Sequence, residues 1–545
     1  MTETKASPPS LARHGVIMAA GSLVSRITGF LRNVVIGAAL GATVLGNAYT
    51  TAQYFPQMLY ELLMGGVLTS VVVPLIVKAR NRDLDGGEAY TQRLLTLAVT
   101  FLALATVCIV AAAPWLTTLA TEENHELVTR LSYFMLPAIF FYGLCALLQA
   151  VLNTREHFAA PMWAPILNNI VIIVVGAVFF AMYTSNAATS DAITGGRVTT
   201  DMVLVLGLGT LAGIVVQSLA LWPAIRKVGF RWRWRWDLRH LGLGEIGRLG
   251  GWILLYVGLN QVAMMVLIRL ANMAFDNAEP GVATPGPINY NNAYLIMMMA
   301  HGIIAVSIIT ALMPRLSQAA SEGRFGAVAA NLSSGTRLST LALVPITTVY
   351  IVLGTPLSVL LFNWANFDFE SAAATGVIVA VAGLALLPFA ISQLQTFAFY
   401  AMTDAKTVAL INIPVVAVRV GACVLAYLLL PPQYVVAGLM GGLGLSFVVT
   451  VILSTVYLRR RVGLLGMNRI VWTWVRQLIA GAVAGLAGYG ALQLLPSAEA
   501  SKPVLIGVLA GVGALILVVY FAVAFLLRIS EITDMAGMVR AKLGR

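Results

Sequence analysis

The sequence predicts an all-α polytopic membrane protein with 14 transmembrane helices. These form two parallel-oriented six-helix bundles plus a C-terminal helix pair, with both termini cytoplasmic. Three observations predict it: the composition, the spacing of apolar runs, and the alternation of basic residues between successive loops. Of 545 residues, 59% are hydrophobic and 10% charged, with a mean hydropathy of +0.88. A soluble domain carries about 25% charged residues, so a water-facing surface is excluded for most of the chain.

Taken in order, residues 1–14 are polar, contain Pro and Ser, and lead into no small-residue cleavage site; they are expected as a cytosolic tail and not a cleaved signal. Spans of roughly 20 mostly apolar residues follow at 15–41, 47–77, 92–117, 128–152, 161–183 and 202–225, making a first bundle over 15–226. A basic cytosolic linker, 227–248, precedes spans at 249–275, 288–313, 335–362, 373–402, 407–430 and 434–458, the second bundle. Spans at 471–495 and 503–528 complete an accessory pair, and 529–545 is a second cytosolic tail. Cys108, Cys145 and Cys423 fall inside apolar runs without metal-ligand spacing and are expected as small core-filling residues; no metal and no cofactor is expected.

Lysine and arginine collect in cytoplasmic loops of membrane proteins. With the N-terminus inside, 27 of the 34 basic residues fall on inside segments, and only Arg130, Arg197 and Lys502 lie outside, where Glu122, Glu123, Glu126, Asp276, Glu279, Asp368 and Glu370 gather. This placement accounts for the net charge of +12 without nucleic acid as a partner. The linker contains "RWRWRW", Arg231–Trp236. Alternating Arg and Trp suits an interfacial segment, with rings at headgroup depth and guanidiniums on lipid phosphates. Anchoring and dedicated lipid recognition are both open readings.

Four basic residues remain at membrane depth: Arg26, Arg32, Arg269 and Arg419; Glu61 is the one acid well inside a span. Each charge in hydrocarbon costs at least about 2.5 kcal/mol, so it faces a partner or a water-filled cavity. The surplus is positive, and a positive interior expects an anionic ligand. In "SRITGFLRN", Ser22, Arg26, Gly29 and Asn33 share a helix face with Ser25 and Arg32. Arg26 lies about 16 Å in from Gly15 at about 1.5 Å per residue. Guanidinium donates paired hydrogen bonds to phosphate and stays charged; proton antiport would call for several membrane acids. An internal Arg26–Glu61 salt bridge is the competing structural reading. Arg419 divides evenly between packing and function, and His301 reads as a packing residue that could titrate. Asn47, Asn168, Asn169, Asn291 and Asn292 are each candidates for helix-to-helix hydrogen bonding, and as a set around a cationic pocket they suit sugar binding.

The chain also resembles itself. "SVVVPLIVKA" from Ser70 pairs with "TALMPRLSQA" from Thr310, "RLLTLA" from Arg93 with "RLSTLA" from Arg337, and Leu136-Pro137 with Leu387-Pro388. The first and seventh spans both start inside, so the halves are parallel repeats, an architecture whose substrate lies between the repeats.

"SLVSRITGFLRNVVIGAALG", "FPQMLYELLMGGVLTSVVVPLI", "AVLNTREHFAAPMWAPILNNI" and "HGIIAVSIITALMPRLSQ" resemble the MurJ/MviN family of the multidrug/oligosaccharidyl-lipid/polysaccharide exporter superfamily, with an actinobacterial flavour in "YELLMGGVLTS". The resemblance runs over essentially all spans. It implies a lipid II flippase of the bacterial cytoplasmic membrane that moves undecaprenyl-diphosphate-linked disaccharide pentapeptide from the inner to the outer leaflet by alternating access. It further implies an arginine-lined cavity, a lipid-tail groove formed by the last two helices, and membrane lipids and cell-wall synthesis and division proteins as partners. Ser25, Arg26 and Arg32 match the family's first-span positions. Asn33, Asn47, Tyr60–Glu61 and Leu295 stand where relatives carry other charges, and Arg269 is a candidate to supply the missing cation. Export of another polyprenyl-linked glycan fits the same residues. A multidrug exporter of cationic drugs fits a positive interior poorly, an intramembrane glycosyltransferase would need an acid cluster beside a sizeable outside loop, and a scaffold would not need buried arginines.

Overall fold

A computed structural model of the chain describes residues 11–62, 73–82, 84–184, 197–237, 243–279, 281–495, 498–529 and 531–532, and among them there is no strand. Thirteen helical segments are long and apolar enough to cross a membrane among the described residues. The expected span at 47–77 is represented by helices Val44–Glu61 and Val73–Arg82; its middle, 63–72, lies outside the described residues, as do 1–10 and 533–545 of the tails and 238–242 of the linker. The chain forms two compact units, residues 1–258 and 259–545.

The first unit holds α1 (Leu11–Leu40), α2 (Val44–Glu61), α3 (Val73–Arg82), α4 (Glu88–Ala111), α5 (Ala113–Ala120), α6 (His125–Met135), α7 (Ala138–Thr154), α8 (Ala159–Phe179), α9 (Thr200–Ala220) and α10 (Trp222–Lys227). Three predicted spans are each broken into two helices, at Ala112, at Leu136–Pro137 and at Leu221. Pro114, Pro137 and Pro223 lie at those breaks; proline has no N–H to donate and crowds the preceding turn. Between membrane helices there is no hydrophobic driving force, so close packing depends on small residues. On α1, a Cβ at Gly21 would sit 2.9 Å from Trp163 Nε1 of α8, and one at Gly176 of α8 would sit 2.9 Å from Val35 Cγ1. Glycine at these two crossings lets α1 lie directly on α8. Cys145 is buried in this unit's core, whereas Cys108 is exposed on α4. The expectation of three core cysteines is therefore corrected: α4 turns Phe101, Leu104, Val107 and Cys108 outward, where a membrane helix meets hydrocarbon and not core.

The helix α11 (Leu243–Asp276) leads into the second unit, which continues with α12 (Pro287–Ser321), α13 (Phe325–Phe362), α14 (Phe369–Ala401), α15 (Ala405–Leu429), α16 (Pro432–Val462), α17 (Met467–Gln493) and α18 (Lys502–Leu526). At 38 residues, α13 is about 57 Å long, well beyond the roughly 30 Å hydrocarbon core. The apolar windows thus mark where these helices cross the membrane and not where they end. α13 and α14 meet backbone to backbone: a Cβ on Gly354 would lie 2.6 Å from Gly376 O, and one on Gly376 would lie 2.4 Å from Thr355 Cα. The Thr347 hydroxyl donates to Gly383 O at 3.1 Å along the same seam.

The accessory pair packs on α13. Gly481 of α17 admits Val344, Gly488 admits Ile516 of α18, and the Tyr520 hydroxyl donates to Leu341 O at 3.1 Å. Just past α18, Glu531 forms a largely buried ion pair with Arg337 of α13, whose backbone carbonyl accepts from Gln477 Nε2 at 3.3 Å.

Candidate functional site

The polar wedge of α1 is present as the spacing predicts. Leu23, Val24, Ile27 and Leu31 are exposed on one side, while Ser22, Ser25, Arg26, Gly29, Arg32 and Asn33 are half-buried on the other. α8 fixes this wedge through Asn169, which is only 6% exposed. Its Nδ2 donates to Ser25 O at 3.1 Å and to the Thr28 hydroxyl at 3.0 Å, and its Oδ1 accepts from Arg32 Nη1 at 3.4 Å. A Cβ at Gly29 would meet Nδ2 at 3.4 Å, an ordinary contact. One neutral side chain therefore aims a cation without cancelling its charge. Arg32 also acts electrostatically on the buried Tyr49 and the half-buried Tyr142, and the Tyr49 hydroxyl is hydrogen-bonded to Thr210 at 2.9 Å.

Arg26 makes no hydrogen bond or ion pair with a described residue. Glu61 is exposed at the end of α2 and engaged elsewhere. The Arg26–Glu61 salt bridge is thus not formed. Asn47 is buried on α2 and engaged. Asn168, one residue before the clamp, turns the other way and fills the space above Gly213 of α9, where a Cβ would lie 2.3 Å from its Oδ1. Ser25, Arg32 and Asn169 are therefore brought together, while Asn168 belongs to helix packing.

In the second unit, Arg419 of α15 is 8% exposed and its Nη2 lies 3.8 Å from Met264 Sδ of α11, with the Tyr290 phenol and the Cys423 thiol in its electrostatic range. No carboxylate pairs with it among the described residues. Arg269 is half-buried on α11 and engaged with a neighbouring group. Asn291 is half-buried on α12, and Asn292 beside it is 1% exposed. His301 packs against Phe389 with ring centroids 4.2 Å apart and planes tilted by 42°, and Phe389 packs against Phe447 at 4.6 Å and 36°; its surroundings are aromatic packing.

Sequence reasoning did not single out Thr28, Tyr49 or Tyr142. Thr28 was findable, being three residues after Ser25 and four before Arg32. The tyrosines gave no signal beyond lying in apolar runs. A cavity of about 580 Å³ also opens in the second unit between α13, α14, α16 and α17, walled by Val344, Ile351, Leu387, Ile452, Trp474 and Leu478. Only Thr340, Thr347, Thr348 and Gln477 bring polar side chains to it, apart from the indole of Trp474. It suits an apolar chain. Of the two accessory helices only α17 lines it, because α18 packs behind α17.

The profile of the family "Lipid II flippase MurJ" matches residues 36–507. A lipid II flippase MurJ of Burkholderia cenocepacia is 27% identical over 484 residues, 86% of this chain and 87% of the relative. A probable lipid II flippase MurJ of Rhizobium tropici is 25% identical over 555 residues, 98% and 97% of the two chains. Among solved structures, the fold is similar to a lipid II flippase MurJ in an inward closed conformation, with a TM-score of 0.72 at 17% identity, covering 97% of this chain and 100% of that one. It is also similar to an inward-facing multidrug resistance MATE family transporter of the MOP superfamily, with a TM-score of 0.63 at 15% identity, covering 82% and 98%.

Proposed function

Since this chain belongs to the MurJ family of lipid II flippases, we propose that it moves lipid II from the inner to the outer leaflet of the bacterial cytoplasmic membrane, for peptidoglycan synthesis, by alternating access. It acts as a transporter and not as an enzyme, supplying lipid II to cell-wall synthesis and division proteins.

The observation that carries this reading is the pair of arginines on the half-buried face of α1. Arg26 has no protein partner among the described residues, so its donors are available to a ligand. Arg32 is oriented by a neutral amide and keeps its full charge. Two guanidiniums on residues about 1.7 turns apart suit a diphosphate, each taking a phosphate through paired charge-assisted hydrogen bonds. Ser25 and the half-buried Asn33 supply neutral groups for the sugars, and the apolar groove beside α17 takes part of the polyprenyl chain. An anion leaving a negative interior moves down the potential, by about 2.3 kcal/mol per charge per 100 mV. Arg26→Ala and Arg32→Ala should each abolish lipid II translocation in proteoliposomes while leaving expression and folding intact. Undiminished translocation in both variants would overturn the reading. Substituting another polyprenyl-linked glycan in the same vesicles tests the competing cargo.

A further inference from the structure

The linker stretch Arg231–Trp236 is built into the first unit and does not hang from it. It runs without helical hydrogen bonds along the start of α4 and is clipped there by two buried side chains. Gln92 Nε2 donates to Arg231 O at 2.6 Å, Gln92 Oε1 accepts from Arg235 Nε at 2.8 Å, and Thr96 Oγ1 accepts from Arg235 N at 3.1 Å. Upstream, Phe230 is inserted in the core with the Arg155 guanidinium 5.2 Å from its ring.

This clamp presents the alternating residues on two sides. Trp232 and Trp234 lie 5.3 Å apart between ring centroids, and Trp234 and Trp236 stack at 6.1 Å with 17° between planes. Trp234 and Trp236 are 58% and 64% exposed, an arrangement unfavourable in water. Arg231 and Arg233 are exposed, and neither side chain has a hydrogen-bond or ion-pair partner among the described residues. Arg235 is occupied by Gln92.

The level of the stack follows from α4. Thr96 precedes Phe101, the first of the outward-facing apolar residues Phe101, Leu104 and Val107, by five residues, about 7.5 Å of helix. That separation matches the thickness of one headgroup layer, about 5–8 Å on each side of the hydrocarbon. The basic loops assign this level to the cytoplasmic side. We propose that Arg231 and Arg233, together with the Trp232–Trp234–Trp236 stack, form a docking site for anionic phospholipids of the inner leaflet, separate from the site that carries lipid II. The rings enter at headgroup depth, and the two guanidiniums bind the excess negative charge.

The test uses the full chain in proteoliposomes containing brominated phosphatidylglycerol or brominated phosphatidylcholine at equal mole fraction. The chain has 10 tryptophans, so the signal is the quenching lost on W234F/W236F. Phosphatidylglycerol should quench this component more strongly than phosphatidylcholine. In R231Q/R233Q the preference should fall by about fivefold per arginine, about 25-fold for the pair, with phosphatidylcholine quenching retained. Circular dichroism and a monodisperse elution profile verify that this variant is folded. Equal quenching by both lipids in the unsubstituted chain, no quenching of Trp234 and Trp236 by either, or a preference that survives R231Q/R233Q would each overturn the proposal.

Discussion

Asn169 offers the sharpest test of how the first helix is set. Asn169→Ala removes two bonds of ordinary length, to Ser25 O and Thr28, and one long bond from Arg32 at 3.4 Å. Side-chain hydrogen bonds between membrane helices average about 0.6 kcal/mol, with a maximum near 1.7. The two ordinary bonds therefore contribute about 1.2 kcal/mol and the long one less, so unfolding stability should drop by about 1.5 kcal/mol. If Arg32 loses its aim by a similar free energy, translocation should slow about tenfold. Asn169→Asp separates aim from charge. A carboxylate there cannot donate to Ser25 O, but it would pair with the Arg32 guanidinium and hold it on the protein, so this variant should lose translocation at least as completely as the alanine variant. Lipid II movement in proteoliposomes and denaturant titration of the same preparations give both numbers. Translocation by N169D at the unsubstituted rate would refute the assignment of Arg32 as a ligand, because a guanidinium locked to a carboxylate is not free to hold a diphosphate.

Other outcomes follow from the packing. Gly376→Ala places a Cβ against the backbone of Thr355, which cannot rotate away, and should lower the unfolding free energy by about 1–3 kcal/mol. Glu531→Gln strands the buried Arg337 cation and should cost about 3 kcal/mol, most of it regained in R337Q/E531Q; thermal unfolding in detergent reads both. Ala482→Trp narrows the groove beside α17 and should slow translocation severalfold while shifting stability by no more than about 0.5 kcal/mol. In the loop before α4, Asp85 accepts from Ala89 N at 2.8 Å and from Gly87 N at 3.0 Å, and these bonds hold its carboxyl below the usual carboxylate range. Its contribution, about 1 kcal/mol by analogy with helix caps, is present above the ordinary carboxylate pKa and is lost as pH falls toward the lowered folded value. D85A should therefore be less stable at neutral pH and indistinguishable in strong acid.

The helical architecture was legible because apolar length and loop charge are each one-dimensional signals. Span limits came within a turn or two for most helices, and erred where the helix outruns the membrane, as in α13, or where proline divides it, as at Pro137. The polar face of α1 was legible for the same reason: Ser25, Arg26 and Arg32 sit on one helix by spacing alone. What spacing could not supply is the partner across the interface. Asn168 and Asn169 are adjacent and chemically identical, yet one clamps the arginine helix and the other fills the space above Gly213, because adjacent residues point about 100° apart on a helix. Arg26 and Glu61 are opposite charges in neighbouring predicted spans, but the described end of α2 leaves Glu61 on the surface. Cys108 was misplaced because an apolar run does not reveal which of its faces meets lipid.

The glycine contact between α13 and α14 has a mechanical meaning. Helices that slide past one another do so by exchanging side-chain rotamers within a layer that can repack. At Gly354 and Gly376 there is no such layer, since a Cβ on either glycine would already overlap the facing backbone. Displacing either helix along its axis would drive backbone into side chain one residue away, so α13 and α14 should travel as one stiff girder. Any change of shape inside the second unit is then left to pivoting of the other helices around that girder.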